Sequence, residues 1–130
     1  MSFEVSGKHH LGDFTRVLND DGLIFLMARL DGRVAGYLYG NTHYAFYAAQ
    51  NIAWIEELFV KKDYRCRGVA TALIERAELI ARERMAALIS VATRRAEQFY
   101  ENCGYERSAH YFRKILKNEC TTYISSTNED

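Results

Sequence analysis

The spacing of apolar residues changes period several times along this chain, and each change predicts an element. Residues 3–5 are a candidate short strand. Over residues 9–18, Leu11, Phe14 and Leu18 recur at helical spacing, and Asn19-Asp20-Asp21-Gly22 reads as a turn. Residues 23–30 form an apolar strand. Asp31-Gly32 is a two-residue hairpin signal that returns the chain through a strand over residues 33–39. Gly40-Asn41-Thr42-His43 carries a second turn signal, and residues 44–50, rich in Tyr, Phe and Ala, fit either period.

The second half is more regular. Residues 52–60 predict a strand, with a break or bulge near the adjacent Glu56 and Glu57. A polar, basic loop covers residues 61–67, and a long helix follows over residues 68–85, with Val69, Leu73, Ala77 and Ile80 on one stripe. The apolar run 87–91 suits a buried strand. Residues 95–103 read as a helix with Ala96, Phe99, Tyr100 and Cys103 on one face, and Gly104 stands where a helix-ending glycine belongs. Residues 111–116 are a candidate last strand. Hairpin signals precede a strand–helix–strand unit, so the expected fold is α/β (α+β): a mixed, mostly antiparallel sheet with helices on both faces and a short N-terminal helical region.

Composition narrows this picture. The length of 130 residues suits one domain spanning 1–130, with a short strand and helix over 1–22 and a polar tail over 118–130. Seventeen basic residues balance seventeen acidic ones, which argues against wholesale binding to nucleic acid or to an anionic membrane. Cys66, Cys103 and Cys120 are odd in number and lack paired spacing, so they read as reduced thiols. No C-x-x-C or H-E-x-x-H spacing occurs, and no metal site is expected. No apolar run approaches the roughly 20 residues of a membrane span, and the opening MSFEVSGKHH holds no signal core. These features together predict a cytoplasmic protein.

The loop from Val60 to Thr71, Val-Lys-Lys-Asp-Tyr-Arg-Cys-Arg-Gly-Val-Ala-Thr, carries the candidate chemistry. It joins a strand to a helix, and a helix N-terminus presents unpaired N–H groups and the positive end of the macrodipole. Such ends bind phosphates. Gly68 admits close approach of an anion to the backbone, Ala70 keeps the first turn slim, and Lys61, Lys62, Arg65 and Arg67 outnumber Asp63. The loop lacks the G-K-[ST] ending of a P-loop and the G-x-G-x-x-G of a dinucleotide fold. Nucleoside triphosphate and NAD readings are thereby weakened, and the loop taken alone reads either as a plain turn into a helix or as a site for a polyphosphate ligand.

Arg65-Cys66-Arg67-Gly68-Val69-Ala70 resembles the [RQ]-x-x-G-x-[GA] acetyl-CoA loop of the GNAT superfamily, the Gcn5-related N-acetyltransferases. The stretch EELFVKKDYRCRGVATALI is similar to that family throughout, and Ala96-Glu-Gln-Phe99-Tyr100-Glu-Asn-Cys-Gly104-Tyr105 resembles its second motif. Together they cover residues 54–105, and the hairpin over 23–39 also fits. The resemblance implies that backbone groups of Leu58, Phe59 and Val60 pair with the pantetheine arm as an added strand would. It implies that amides from Cys66 to Thr71 (Cys66, Arg67, Gly68, Val69, Ala70, Thr71) hold the pyrophosphate, with Arg65, which opens the motif, also among the CoA-binding residues. Thr93 stands where many members carry an Asn that contacts CoA.

Acyl transfer from a thioester to an amine requires a neutral amine, donors for the developing oxyanion and a proton for the leaving thiolate. The resemblance gives Tyr100 the proton-donor role; read without it, Tyr100 is a core tyrosine on an amphipathic helix. Adjacent strand residues face opposite sides, so one of the two glutamates should enter the cleft. The resemblance, to small-amine acetyltransferases with an acidic residue at this place, puts Glu56 first as base or cation binder, and Glu57 is the reserve because a bulge changes which one faces inward. Solvated carboxylates are the alternative for both. Cys66 lies near a helix N-terminus, where a thiol pKa falls, but no neighbouring base makes it a nucleophile. Phe46, Tyr47 and Trp54 would line either an acceptor site or the core, and His110 and Tyr111 either edge the acceptor pocket or belong to a surface loop. The expected protein is an acetyl-CoA-dependent N-acetyltransferase acting on a primary amine of a small molecule or peptide. The alternative is a non-catalytic acyl-CoA sensor on the same fold. The short N-terminal region also motivates a homodimer that completes the acceptor site.

Overall fold

Alternation of buried and half-buried side chains builds the sheet. In the computed structural model, which describes residues 4–6 and 22–117, Leu23, Ile24, Leu26, Ala28 and Leu30 of strand β2 (Leu23–Leu30) are buried. Phe25, Met27 and Arg29 lie between them on the other face, as the period of a strand requires. Asp31 and Gly32, both at positive φ, make the predicted tight turn into β3 (Arg33–Ala45). β4 (Gln50–Val60) follows, then a 3₁₀ turn over Lys62–Tyr64, helix α1 (Val69–Glu83), strand β5 (Ala86–Val91) and helix α2 (Glu97–Asn102). A three-residue strand β1 (Glu4–Ser6) pairs with β2. The predicted helix over 9–18 and the tail 118–130 lie outside the described residues, as does most of the turn before Gly22.

The sheet runs β1-β2-β3-β4-β5. Every pairing is antiparallel except β4 with β5, which are joined through α1 as a parallel pair requires. The mixed, mostly antiparallel fold predicted from the sequence is the one observed. Val69, Leu73, Ile74, Ala77 and Ala81 of α1 pack on Leu26, Leu38, Ile55, Leu58 and Val60 in one core cluster. Each Val, Leu and Ile among them contributes about 1.5–3 kcal/mol of burial.

Four expectations are corrected. Residues 40–43 form no turn, because β3 continues through them to Ala45. Gly40 is there for close approach: a Cβ on it would collide with the Trp54 carbonyl oxygen of β4. The hairpin turn falls instead at residues 46–49, where Ala49 donates to the Phe46 carbonyl at 3.1 Å. Phe46 and Tyr47 are 92% and 78% exposed there, so neither is a core residue. Among the described residues β5 is an edge strand, and with Ala87 and Leu88 exposed it is not the buried strand expected. Residues 111–116 form no strand, and Tyr111 and Phe112 are exposed, as the surface reading of Tyr111 required. Gly104, by contrast, ends α2 as predicted. It sits at φ 93°, with Gly104 N donating to Glu101 O and Tyr105 N to Tyr100 O, the paired bonds of a Schellman cap.

Candidate active site

β4 and β5 part company where the sequence placed its break. Their last pair is Ile55 with Val91. On the β3 side Tyr39 pairs with Glu57 and Gly40 with Ile55, so Glu56 has no opposite residue and is the extra residue of a β-bulge. Beyond it, the β4 edge facing β5 has no ladder partner over Glu57–Val60 among the described residues. Lys61 donates its N–H to Ala35 of β3 at 2.8 Å. Strand alternation then turns the backbone groups of Phe59 toward Tyr37 and those of Leu58 and Val60 toward the free edge. Of the three residues expected to meet an extended ligand, Leu58 and Val60 are therefore oriented to do so, and Phe59 is not.

The loop after β4 combines a 3₁₀ turn with two left-handed residues, Cys66 and Gly68. Tyr64 N bonds Lys61 O at 2.9 Å to close the 3₁₀ turn, Cys66 sits at φ 63° and Gly68 at φ 82°. Gly68 is the N-cap of α1 and supplies no side-chain cap. The first helical bond runs from Ala72 N to Gly68 O at 3.0 Å, which leaves the amides of Val69, Ala70 and Thr71 without an intrahelical acceptor. A Cβ built on Gly68 would meet nothing within 4 Å. The glycine is needed for its positive φ, and the space before the amides is open.

A cleft of about 360 Å³ lies at this point. Val60, Arg65, Cys66, Gly68, Val69, Ala70 and Thr71, all named as CoA-binding candidates from the sequence, line it together with Tyr64 and Phe99. Those two were missed as site residues: Tyr64 sits beside Arg65 without a motif of its own, and Phe99 reads as helix stripe. Arg65 has a second task, because its Nε donates to the Val60 carbonyl at 3.0 Å. That bond ties the loop back to the end of β4 and occupies one acceptor on the free edge. Arg67 lies over the Tyr64 ring, 5.8 Å from its centroid. An open N–H cradle at a helix N-terminus, flanked by cations and continuous with a free strand edge, fits a ligand that joins a diphosphate to an amide-bearing arm, as CoA does.

The remaining candidates Thr93, Tyr100, Glu56 and Glu57 do not line this cleft. Thr93 Oγ1 accepts the Ala96 N–H at 3.0 Å, so it starts the turn into α2 and keeps its hydroxyl proton for another partner. Tyr100 is 5% exposed, with Phe99 and Tyr105 packed edge-on against its ring at 5.0 and 5.7 Å. Glu56 is exposed on the bulge. Glu57 is half-buried on the opposite sheet face from Leu58, and its Oε1 accepts the Tyr37 hydroxyl at 2.8 Å. Behind α2, Tyr105 donates its hydroxyl to Glu78 at 2.9 Å. Burial, followed by that bond, pushes the Tyr105 phenol well above its ordinary range. Burial, with Glu78 and Glu75 nearby, raises the Cys103 thiol as well.

The sequence profile of the acetyltransferase (GNAT) family matches residues 2–105. The chain belongs to this family. Membership supports acetyl transfer in general as its chemistry, with acetyl-CoA as the cosubstrate that the family uses. No curated protein matches the chain in sequence. Among solved structures, it is similar to an aminoglycoside acetyltransferase from an uncultured soil metagenomic sample, at 23% identity and TM-score 0.77, covering 90% of this chain and 100% of that one. It is also similar to a ribosomal-protein-alanine N-acetyltransferase from Brucella melitensis, at 18% identity and TM-score 0.70 over 89% and 99% of the two chains. A third is glucosamine-6-phosphate N-acetyltransferase from Arabidopsis thaliana, at 13% identity and TM-score 0.79 over 90% and 100%. At these identities the likeness is one of fold. Among the described residues, no helix is long and apolar enough to cross a membrane.

Proposed function

We propose that this GNAT-family protein is an acetyl-CoA-dependent N-acetyltransferase that acetylates a primary amine by direct attack in a ternary complex. The observation that carries the proposal is the continuity of the open amides at Gly68 with the free edge of β4. When bound, acetyl-CoA supplies an acetyl group activated as a thioester. The amides of Val69, Ala70 and Thr71, at the positive end of α1, hold the diphosphate, and Lys61, Lys62 and Arg67 add charge around it. Leu58 and the Val60 amide pair with the arm along the free edge, while Arg65 ties the loop to the Val60 carbonyl. Glu56, exposed at the bulge, takes or relays the proton that the amine must lose before it attacks. Tyr100 donates a proton toward the leaving sulfur.

The near-complete burial of Tyr100 favours a second reading, an acyl-CoA-binding module without turnover. Calorimetry with acetyl-CoA, followed by a consumption assay across alkylamines, polyamines, aminoglycosides and peptide N-termini, separates the two. The enzyme binds acetyl-CoA and consumes it with at least one amine. Its Tyr100→Phe variant should lose about 10²–10⁴-fold in kcat, the usual worth of a general acid, with acetyl-CoA affinity retained. Binding without consumption supports the module, and no binding at micromolar concentration sinks both.

A further inference from the structure

The two parts of the proposed site stand on different helices. The amide cradle opens α1, and Tyr100 belongs to α2, which is six residues long. A helix that short does not hold itself in place and depends on its packing. Tyr105, the residue after the glycine cap, touches Tyr100 twice. Its N–H donates to the Tyr100 carbonyl at 2.9 Å, and its ring packs edge-on against the Tyr100 ring at 5.7 Å and 62°. Its far end reaches the other helix, where the hydroxyl donates to Glu78 Oε2 at 2.9 Å. Glu78 lies in the third turn of α1, on the helix that carries the cradle. Tyr105 and Glu78 are both half-buried, and neither lines the cofactor cleft. The Tyr100 ring also meets Phe99 at 5.0 Å, and Phe99 is part of the cleft wall.

Edge-to-face ring contacts are met over centroid distances of about 4.5–7 Å, so ring packing alone lets Tyr100 shift. A hydrogen bond to a carboxylate is held to a much narrower distance and angle. A phenylalanine at position 105 would keep the packing and the backbone bond and lose only the tie to α1. Burial, and then the bond to Glu78, raise the Tyr105 phenol above its ordinary value, so the hydroxyl stays protonated and donating at neutral and mildly alkaline pH. We propose that Tyr105, anchored by Glu78, is a positioning residue for acetyl transfer: it fixes Tyr100 relative to the diphosphate cradle and touches neither substrate. The inference rests on the proposed proton-donor role of Tyr100 for its catalytic consequence, but not for the placement of the ring. That consequence is large, because a misplacement of about 1 Å can cost about a hundredfold in rate.

The test is NMR of the full chain carrying ¹³C-labelled tyrosine, with the Tyr100 ring resonance assigned by its loss in Tyr100→Phe. It is joined to kinetics of acetyl-CoA consumption with the amine that the consumption assay finds fastest. Tyr105→Phe and Glu78→Ala should each shift or broaden the Tyr100 resonance. Each should lower kcat by about ten- to a hundredfold and leave the KM for acetyl-CoA and for the amine unchanged. Glu78→Gln keeps an oxygen that accepts the Tyr105 hydroxyl, so it should retain most of kcat and the native resonance. The Tyr105→Phe/Glu78→Ala double variant should be no slower than either single one, and Tyr105→Phe should cost nothing further in a Tyr100→Phe background. A Tyr100 resonance unmoved in both Tyr105→Phe and Glu78→Ala overturns the inference. So does an undiminished kcat in those variants when Tyr100→Phe is slow, or a KM for acetyl-CoA that rises as kcat falls, the mark of general loosening. Full activity of Tyr100→Phe, or no turnover with any amine, is instead a failure of the functional proposal, and the resonance, read without substrate, then decides the placement of Tyr100 by itself.

Discussion

At Gly68 the chain must hold a φ of 82°, where a Cβ costs about 1–2 kcal/mol. Gly68→Ala is expected to lower stability by about that amount and, by tightening or tilting the amide cradle, to weaken acetyl-CoA binding. Urea midpoints and calorimetry read the two effects separately. Tyr105 makes a pH prediction. Burial, and then its bond to Glu78, raise the folded-state phenol above the ordinary tyrosine value of 10.0. The unfolded chain therefore loses this proton first as pH rises. The stability contributed by Tyr105 is fully present below about pH 10 and falls progressively above it. Cys103 adds the same trend from its ordinary value of 9.0 upward. Tyr105→Phe should cost about 1 kcal/mol at neutral pH and flatten the alkaline loss of stability. Equal slopes in the two proteins, measured by urea midpoints across that range, would remove Tyr105 from the account. Both residues belonged to recognisable sequence features, Gly68 as loop glycine and Tyr105 as the residue after a helix-ending glycine. The bond to Glu78 spans 27 positions and has no local signature.

At the scale of elements, the bulge at Glu56 falls where the β4–β5 pairing ends. Ile55 and Leu58 both face the core with Glu57 turned away, so the pattern already contains one residue too many for plain alternation, which is why the adjacent glutamates signalled a break. Deleting Glu56 restores strict alternation without moving any apolar residue to the wrong face. The variant should fold with a near-native circular dichroism spectrum. β4 can then pair farther along β5, and acetyl-CoA affinity should fall by about tenfold or more as the free edge closes. Gly40 shows the opposite lesson. Its neighbours Asn41 and Thr42 look like turn residues, but the strand continues because Gly40 packs its backbone against Trp54. Gly40→Ala should destabilise by about 1–3 kcal/mol, the cost of overpacking, read as a lower urea midpoint. A turn glycine exposed to solvent would not give that loss.

For the molecule as a whole, balanced charge conceals local imbalance. The loop of Lys61, Lys62, Arg65 and Arg67 is basic within a chain of zero formal charge. Acetyl-CoA binding should therefore weaken severalfold as salt rises from about 0.05 to about 0.5 M, because exposed charges are screened; a Kd insensitive to salt would exclude these cations from binding. The sequence by itself determined whatever is written in one contiguous stretch: the Asp31-Gly32 hairpin, the span of α1, the basic loop into it, the bulge and the glycine cap of α2. Each follows from backbone preference and apolar period, which act over a few residues. The tertiary structure alone decided what depends on partners brought from afar: that Phe59 turns its backbone to β3, that Tyr37 fixes Glu57 across 20 positions, and that Phe99 shares a wall with the loop. Hydrogen-bond direction and ring contact are set by the neighbouring strand or helix, and a lone segment does not carry the position of its neighbour.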